Sequence, residues 1–285
     1  MSRMSVNELT TNRWSFEEDV TRYTASGIDA IGVWREKLSD YGAEKGAELL
    51  AEHGLRVSNL LWAGGFTGSD GRTFRESVDD AVEAIALAEL LEAECLVVYS
   101  GALAGHIQKH ARRLFHAALG HLLPIAAAAN VTLALEPMYP DCSDNWSIAP
   151  GLDDALEVIE HCDSAYLKLV FDTYHLGFDP AVTDRIAELA PHVAVVHLAD
   201  TRQVPVDEQN RCRLGHGFLP LSEIVTALED HGYDGYYDVE LFGQDVENFT
   251  YQELLDHSRE AVGRLVGRPL SRRSQPHTTS ADATS

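Results

Sequence analysis

Four apolar runs in this 285-residue chain end in side chains that could do chemistry. The segment LVFDTYHLGFDP, Leu169 to Pro180, passes from an apolar run into Asp172 and His175 before Gly177 and Pro180 break the chain. VTLALEPMYP ends in Glu136, VAVVHLADT around His197 and Asp200, and GYYDVELFG in Glu240. Taken singly, each acid could be a helix cap or a salt-bridge partner. Taken together, they offer three carboxylates and an imidazole at matched points of four runs.

If the fold brings these ends together, the gathered negative charge is strongly unfavourable in a partly buried site unless something compensates it. A divalent cation held by Glu136, Asp172, His197 and Glu240 removes the conflict. This mixed oxygen and nitrogen set suits Mn²⁺, Co²⁺, Fe²⁺, Zn²⁺ or Mg²⁺. Mn²⁺ is the first expectation, because a carboxylate-rich set with one imidazole favours a harder ion than zinc.

The elements that must position these groups alternate along the chain. MSVNELTT reads as a short strand, and Ser15 with Glu18 reads as a capping box that opens a helix stopped by Gly27. Strand IDAIGVWR precedes a helix from Ser39 to His53, RVSNLLWAG precedes Phe74 to Glu92, and CLVVYSG precedes His106 to Ala129. After VTLALEP comes helix Leu152 to His161. LKLVFDTYH leads to Ala181 to Ala190, VAVVHLADT to Leu221 to His231, and GYYDVELFG to a last helix from Tyr251 to about Val266.

Eight near-continuous apolar strands, each followed by a helix, are parallel βα units with both sheet faces covered. That composition predicts an α/β protein, a single-domain (β/α)8 TIM barrel over residues 1–267, with functional groups at the C-terminal ends of its strands. No Gly-rich GxGxxG turn follows a strand, which weakens a dinucleotide-binding open sheet. Residues 268–285 are poor in apolar side chains and read as a disordered tail.

Composition narrows the partners. Lys plus Arg number 22 against 45 Asp plus Glu, and the formal charge of −23 disfavours nucleic acid and anionic membrane surfaces. No stretch approaches the roughly 20 apolar residues that span a bilayer, and the N-terminus has no signal-peptide core. A cytoplasmic location follows as an expectation. Cys95, Cys142, Cys162 and Cys212 show no CxxC spacing and read as reduced structural thiols.

The motifs LEP with Glu136, FDTYH with Asp172 and His175, HLADT with His197, LGHGFLPL, and DVELF with Glu240 occur in this order. As an ordered set over residues 5–266, they resemble the xylose isomerase-like barrel superfamily, particularly its inosose isomerase and ketose 3-epimerase branches. The resemblance implies that Glu136, Asp172, His197 and Glu240 are metal ligands, and that Glu136 and Glu240 double as acid and base. It also implies that His175 and a loop arginine bind substrate oxygens, and that barrels of this kind often pair into dimers or tetramers.

That role fits the residue types. Removing a proton beside a carbonyl needs a Lewis acid and a carboxylate base over the carbon, and an epimerase needs a second carboxylate on the opposite face. The expected activity is a metal-dependent isomerase or epimerase of a ketose, keto-inositol or similar polyol. The alternatives are a lyase of the same superfamily, acting on keto-inositols or keto-glycosides, and a barrel that binds sugar without turnover.

The loop Thr201 to Pro220 carries Arg202, Arg211, Arg213 and His216. By the resemblance Arg211 is the favoured substrate contact, against the plain alternative of a solvated loop, and His216 departs from the acidic or polar residue expected between its glycines. Trp14, Trp34 and Trp62 fall near the mouths of the first three units, where Trp62 could stack on a sugar. The endonuclease relatives carry extra early-strand histidines for a three-metal cluster. Here the third strand ends in Trp62-Ala63-Gly64 and the fourth in Tyr99-Ser100-Gly101, which leaves one metal.

Overall fold

The computed structural model describes residues 3–143, 146–148, 151–206 and 209–266, so the tail at 268–285 lies outside the described residues. Eight parallel strands close into a barrel in chain order. They are β1 (Met4–Asn7), β2 (Ala30–Trp34), β3 (Arg56–Gly64), β4 (Cys95–Tyr99), β5 (Thr132–Leu135), β6 (Leu167–Asp172), β7 (Val193–Leu198) and β8 (Tyr237–Val239). Closure pairs β8 with β1 through Met4 opposite Tyr237 and Val6 opposite Val239.

Strand side chains alternate between faces, so the two faces of the barrel carry different cores. Ala30, Leu61, Cys95, Val97, Ala134, Val170, Val195 and Tyr236 form one compact cluster, and a much larger one joins the other face to the surrounding helices. Two residues beyond Ala134, Val170 and Val195, on the same face, stand Glu136, Asp172 and His197. Two and four beyond Tyr236 stand Asp238 and Glu240. The period-2 pattern therefore stacks a polar layer on an apolar plug, at the C-terminal end of the strands.

The helix starts follow their sequence signals. Ser15 accepts a hydrogen bond from the Glu18 amide while the Glu18 side chain accepts one from the Ser15 amide, and the helix Phe16–Ala25 follows. Thr73 with Glu76 and Thr250 with Glu253 cap Phe74–Leu90 and Tyr251–Leu265 in the same way.

Two helices differ from expectation. The run from Ser39 to His53 is not one helix: Arg35–Tyr41 and Ala43–His53 are separated by Gly42 at φ 105°, a conformation that only glycine adopts freely and that no helix contains. The Ala181 to Ala190 helix is also absent. In its place are single turns Pro180–Thr183 and Ile186–Leu189 and a 3₁₀ turn Ala190–His192, with the break between the first two at Asp184 and Arg185, the latter leaving helical backbone at φ −98° and ψ 2°.

A buried polar cluster fixes the mouth near β1. The Lys37 ammonium donates to the carbonyls of Glu8 and Thr11 at 3.2 and 3.0 Å and to Asp19 Oδ2 at 2.5 Å. Glu8 Oε2 accepts the Trp34 amide at 2.7 Å, tying the end of β2 to the 3₁₀ turn Glu8–Thr11. The turn's Thr10 hydroxyl donates to Val239 O at 3.0 Å and accepts the Leu241 amide at 2.9 Å, bracketing Glu240 from both sides.

Candidate metal centre and active site

Glu136, Asp172, His197 and Glu240 are all buried, and one ligand atom from each lies within 4.8 Å of the others. Asp172 closes β6 and His197 lies in β7, opposite one another in register; Glu136 and Glu240 are the first residues after β5 and β8. His197 Nδ1 faces Glu240 Oε2 at 3.0 Å and Glu136 Oε1 at 3.2 Å. Burial alone would lower the imidazole's pKa, but the two facing carboxylates, Glu240 foremost, hold it well above the ordinary histidine value.

The glutamates differ. Burial raises the pKa of Glu136, and neighbouring Glu240 and Asp172 add to the rise against the opposing pull of His197. Burial would also raise Glu240, but Arg211 and His197 overcome it and bring its pKa to about 2. The Arg211 guanidinium is buried, donating to Asp172 Oδ2 at 2.8 Å and Glu240 Oε2 at 3.1 Å. It lies over the rings of Tyr174 and Phe242, with centroids at 4.9 and 4.7 Å.

Asp200 holds the loop that carries this arginine. Its carboxylate accepts the amides of Gly215, Gly217 and Leu219, and its carbonyl accepts that of Cys212. A Cβ on Gly217 would stand 2.1 Å from Asp200 Oδ1, which is why the LGHG turn needs glycine there. Asp200 is thus a scaffold residue, and His216 is exposed with its ring beside His257, 5.1 Å between centroids. Arg202 is largely exposed beside Asp245 and Arg213 lies over Phe249, so Arg211 alone of the three lines the cavity.

The cavity, about 250 Å³, is lined by the two glutamates, Arg211, His175 and a wall of Trp62, Tyr99, Trp146 and Phe242. Burial pushes the pKa of His175 down to about 4, although Asp172 opposes it, so the ring is neutral at neutral pH. The Tyr139 amide donates to its Nδ1 at 3.3 Å, which leaves the proton on Nε2. Trp62 is in the lining, whereas Trp34 belongs to a neighbouring cleft and Trp14 is packed edge-on against Tyr251.

Asp238 is the neighbour that sequence reading passed over. It lies in register with His197 on β8 and accepts hydrogen bonds from Ser5, Asn7 and Asn59 at 2.6 to 2.9 Å. A Cβ at Gly32 would meet its Oδ2 at 2.4 Å, so the glycine in β2 makes room for the carboxylate. His197 Nε2 is buried with no hydrogen-bond partner among the described residues and stands 4.0 Å from Asp238 Oδ2. Its position two residues before Glu240 in GYYDVELFG, on the same strand face, was the available signal.

The donor set fits a divalent ion: three carboxylates and an imidazole nitrogen converge, while the far side of the ring faces a fourth carboxylate. Glu136, Asp172, His197 Nδ1 and Glu240 would hold it, and Asp238 would orient the ring, as carboxylates behind metal-bound histidines do. Asp238→Asn is therefore expected to weaken Mn²⁺ affinity about 10- to 100-fold. Calorimetric titration of the folded variant checks this, and unchanged affinity would remove Asp238 from the centre. Binding must also expel the proton that His197 shares with the glutamates. Mn²⁺ affinity should then rise with pH by up to about tenfold per unit between about pH 6 and 8, and a flat profile would contradict that protonation state.

Comparison with known proteins agrees with the geometry. An inosose isomerase from Bacillus velezensis is 22% identical over 278 residues, covering 93% of this chain and 98% of that protein. One from Halalkalibacterium halodurans is 26% identical over 158 residues, a match that spans about half of either chain, 53% of each. The fold is shared with the IOLI protein, solved with a bound zinc atom, at TM-score 0.80 and 19% identity over 93% of this chain and 98% of that one. Residues 20–261 match the family described as xylose isomerase-like TIM barrel, and the chain belongs to that family.

Proposed function

We propose that this protein is a divalent-metal-dependent isomerase or epimerase of a small polyol bearing a carbonyl, a ketose or a keto-inositol, working by proton transfer at the carbon beside that carbonyl. The observation that carries the proposal is the pair Glu136 and Glu240, both facing His197 Nδ1 and both lining a cavity that also holds His175 and Arg211. The similarity to inosose isomerases supports the same reaction class.

When bound, the ion would act as a Lewis acid on adjacent carbonyl and hydroxyl oxygens, and the carboxylate-rich donor set favours Mn²⁺. Glu240, kept ionised by Arg211, is suited to take the proton from carbon. Glu136, which faces His197 but makes no ion pair with Arg211, is suited to return one. The neutral His175, with its proton on Nε2, can donate to the oxygen on which negative charge develops. Arg211 has a buried Nε with no partner among the described residues, a further donor for a substrate hydroxyl. The aromatic wall supplies a flat apolar surface for the C–H face of the polyol and keeps bulk water from the reacting carbon.

Incubation of ketoses and inososes with the Mn²⁺-loaded protein in D₂O is expected to place solvent deuterium at the carbon beside the carbonyl, with product of unchanged mass formula. Release of water to give an unsaturated diketone would assign a lyase instead, and no exchange with any substrate would reject proton transfer. His175→Ala should keep the metal and lower kcat by about 10²–10³; loss of the metal would make His175 a ligand.

A further inference from the structure

A second cavity of about 770 Å³ lies beside the first, between the ends of β2 and β3 and the face of helix Phe74–Leu90 that carries Asp80, Glu83 and Leu87. Trp62, Tyr99 and Trp146 line both cavities. Rings centred 5.6 and 6.4 Å from that of Trp146 make the three a continuous aromatic surface running from the catalytic carboxylates into the neighbouring space. Pockets for small molecules typically measure about 300–1,000 Å³. At about 250 Å³ the catalytic cavity falls below that range, with room for one compact ring, whereas its neighbour falls within it.

The second lining has a definite chemistry. Arg35 is committed to Asp80 at 3.0 Å and to the Trp62 carbonyl at 2.8 Å, and Arg72 to Asp70 at 2.6 Å and Asp80 at 2.8 Å. With both guanidinium groups so engaged, Glu36 and Glu83 add carboxylates at the rim, and the excess of negative charge repels a phosphorylated or carboxylated tail. What remains favourable is a neutral ring with many hydroxyls, which donates to the carboxylates and lays its C–H face on Trp34 or Trp62.

We propose that this second cavity is a subsite for another sugar ring, so that the substrate is a glycoside of a keto sugar rather than a free one. The inference rests on the reading of the first cavity as the polyol site and names the substrate class of that site.

Ser39 is exposed on helix Arg35–Tyr41 and lines the second cavity but not the first, so Ser39→Trp fills the subsite without touching the catalytic groups. Calorimetric titration of Mn²⁺-loaded protein would compare D-fructose with the glycosyl-fructoses maltulose, turanose, leucrose and lactulose. At least one disaccharide is expected to bind about tenfold more tightly than fructose, the gain of one ring on an aromatic face. Ser39→Trp, at an unchanged thermal midpoint, should abolish that gain and leave fructose affinity as it was. The subsite is overturned if no disaccharide gains over fructose, if the gain survives Ser39→Trp, or if the variant weakens both ligands equally. A glycosyl gain without deuterium exchange would sink the isomerase reading while keeping the subsite; exchange without a gain would do the reverse.

Discussion

The mouth of this barrel is organised by an excess of buried negative charge. Glu136, Asp172, Asp238 and Glu240 are each at least 96% buried, and among the described residues Arg211 and His197 are the cationic side chains in direct reach. A carboxylate taken out of water without a partner costs several kcal/mol, and removing one member of a buried pair costs about 3–5 kcal/mol. Every nearby device lowers that cost. Arg211 bridges Asp172 and Glu240, Ser5, Asn7 and Asn59 donate to Asp238, and His197 Nδ1 faces both glutamates. A divalent ion at the convergence of Glu136, Asp172, His197 and Glu240 would supply the remaining compensation.

That charge pattern explains which parts of the protein could be read from sequence. Strand parity did most of it: an apolar residue two positions before Glu136, Asp172 and His197 places all three on the face whose interior is already filled, and closure of the barrel does the rest. Arg211 was a weaker inference, since its selection over Arg202 and Arg213 depended on family resemblance. The physical reason for it lies in the Asp200 carboxylate gathering three amides more than a dozen residues away, a long-range contact with no local signature. Asp238 escaped because an acid one turn of the pleat below a ligand looks like any strand polar residue until Ser5, Asn7 and Asn59 arrive from β1 and β3. Of the two helices that differ from expectation, the first has a local cause visible in the sequence, Gly42, whereas the break at Asp184 and Arg185 has no glycine or proline to mark it.

The scaffold around the site is correspondingly specific. Thr10 bonds to the backbone on both sides of Glu240, and the Thr173 hydroxyl does similar work for β7, donating to the Ala199 carbonyl and accepting the Ala199 amide, each at 2.8 Å. Short strands such as Tyr237–Val239 leave Glu240 beyond the regular ladder, so side-chain hydroxyls replace ladder hydrogen bonds where the buried acids emerge. A group held this way loses little freedom on meeting substrate, which lowers the cost of reaching a reactive geometry.

The asymmetry between the two glutamates follows from the same arrangement. Arg211 reaches Glu240 and Asp172 but makes no ion pair with Glu136, whose nearest cation is the shared imidazolium. The two carboxylates that line the cavity therefore have different surroundings, one tied to a guanidinium and the other only to the ring. Two chemically identical side chains in one cavity can differ in behaviour only if something else distinguishes them. Here the distinction comes from a single arginine, and that arginine is placed by a loop that folds around Asp200 rather than by any strand.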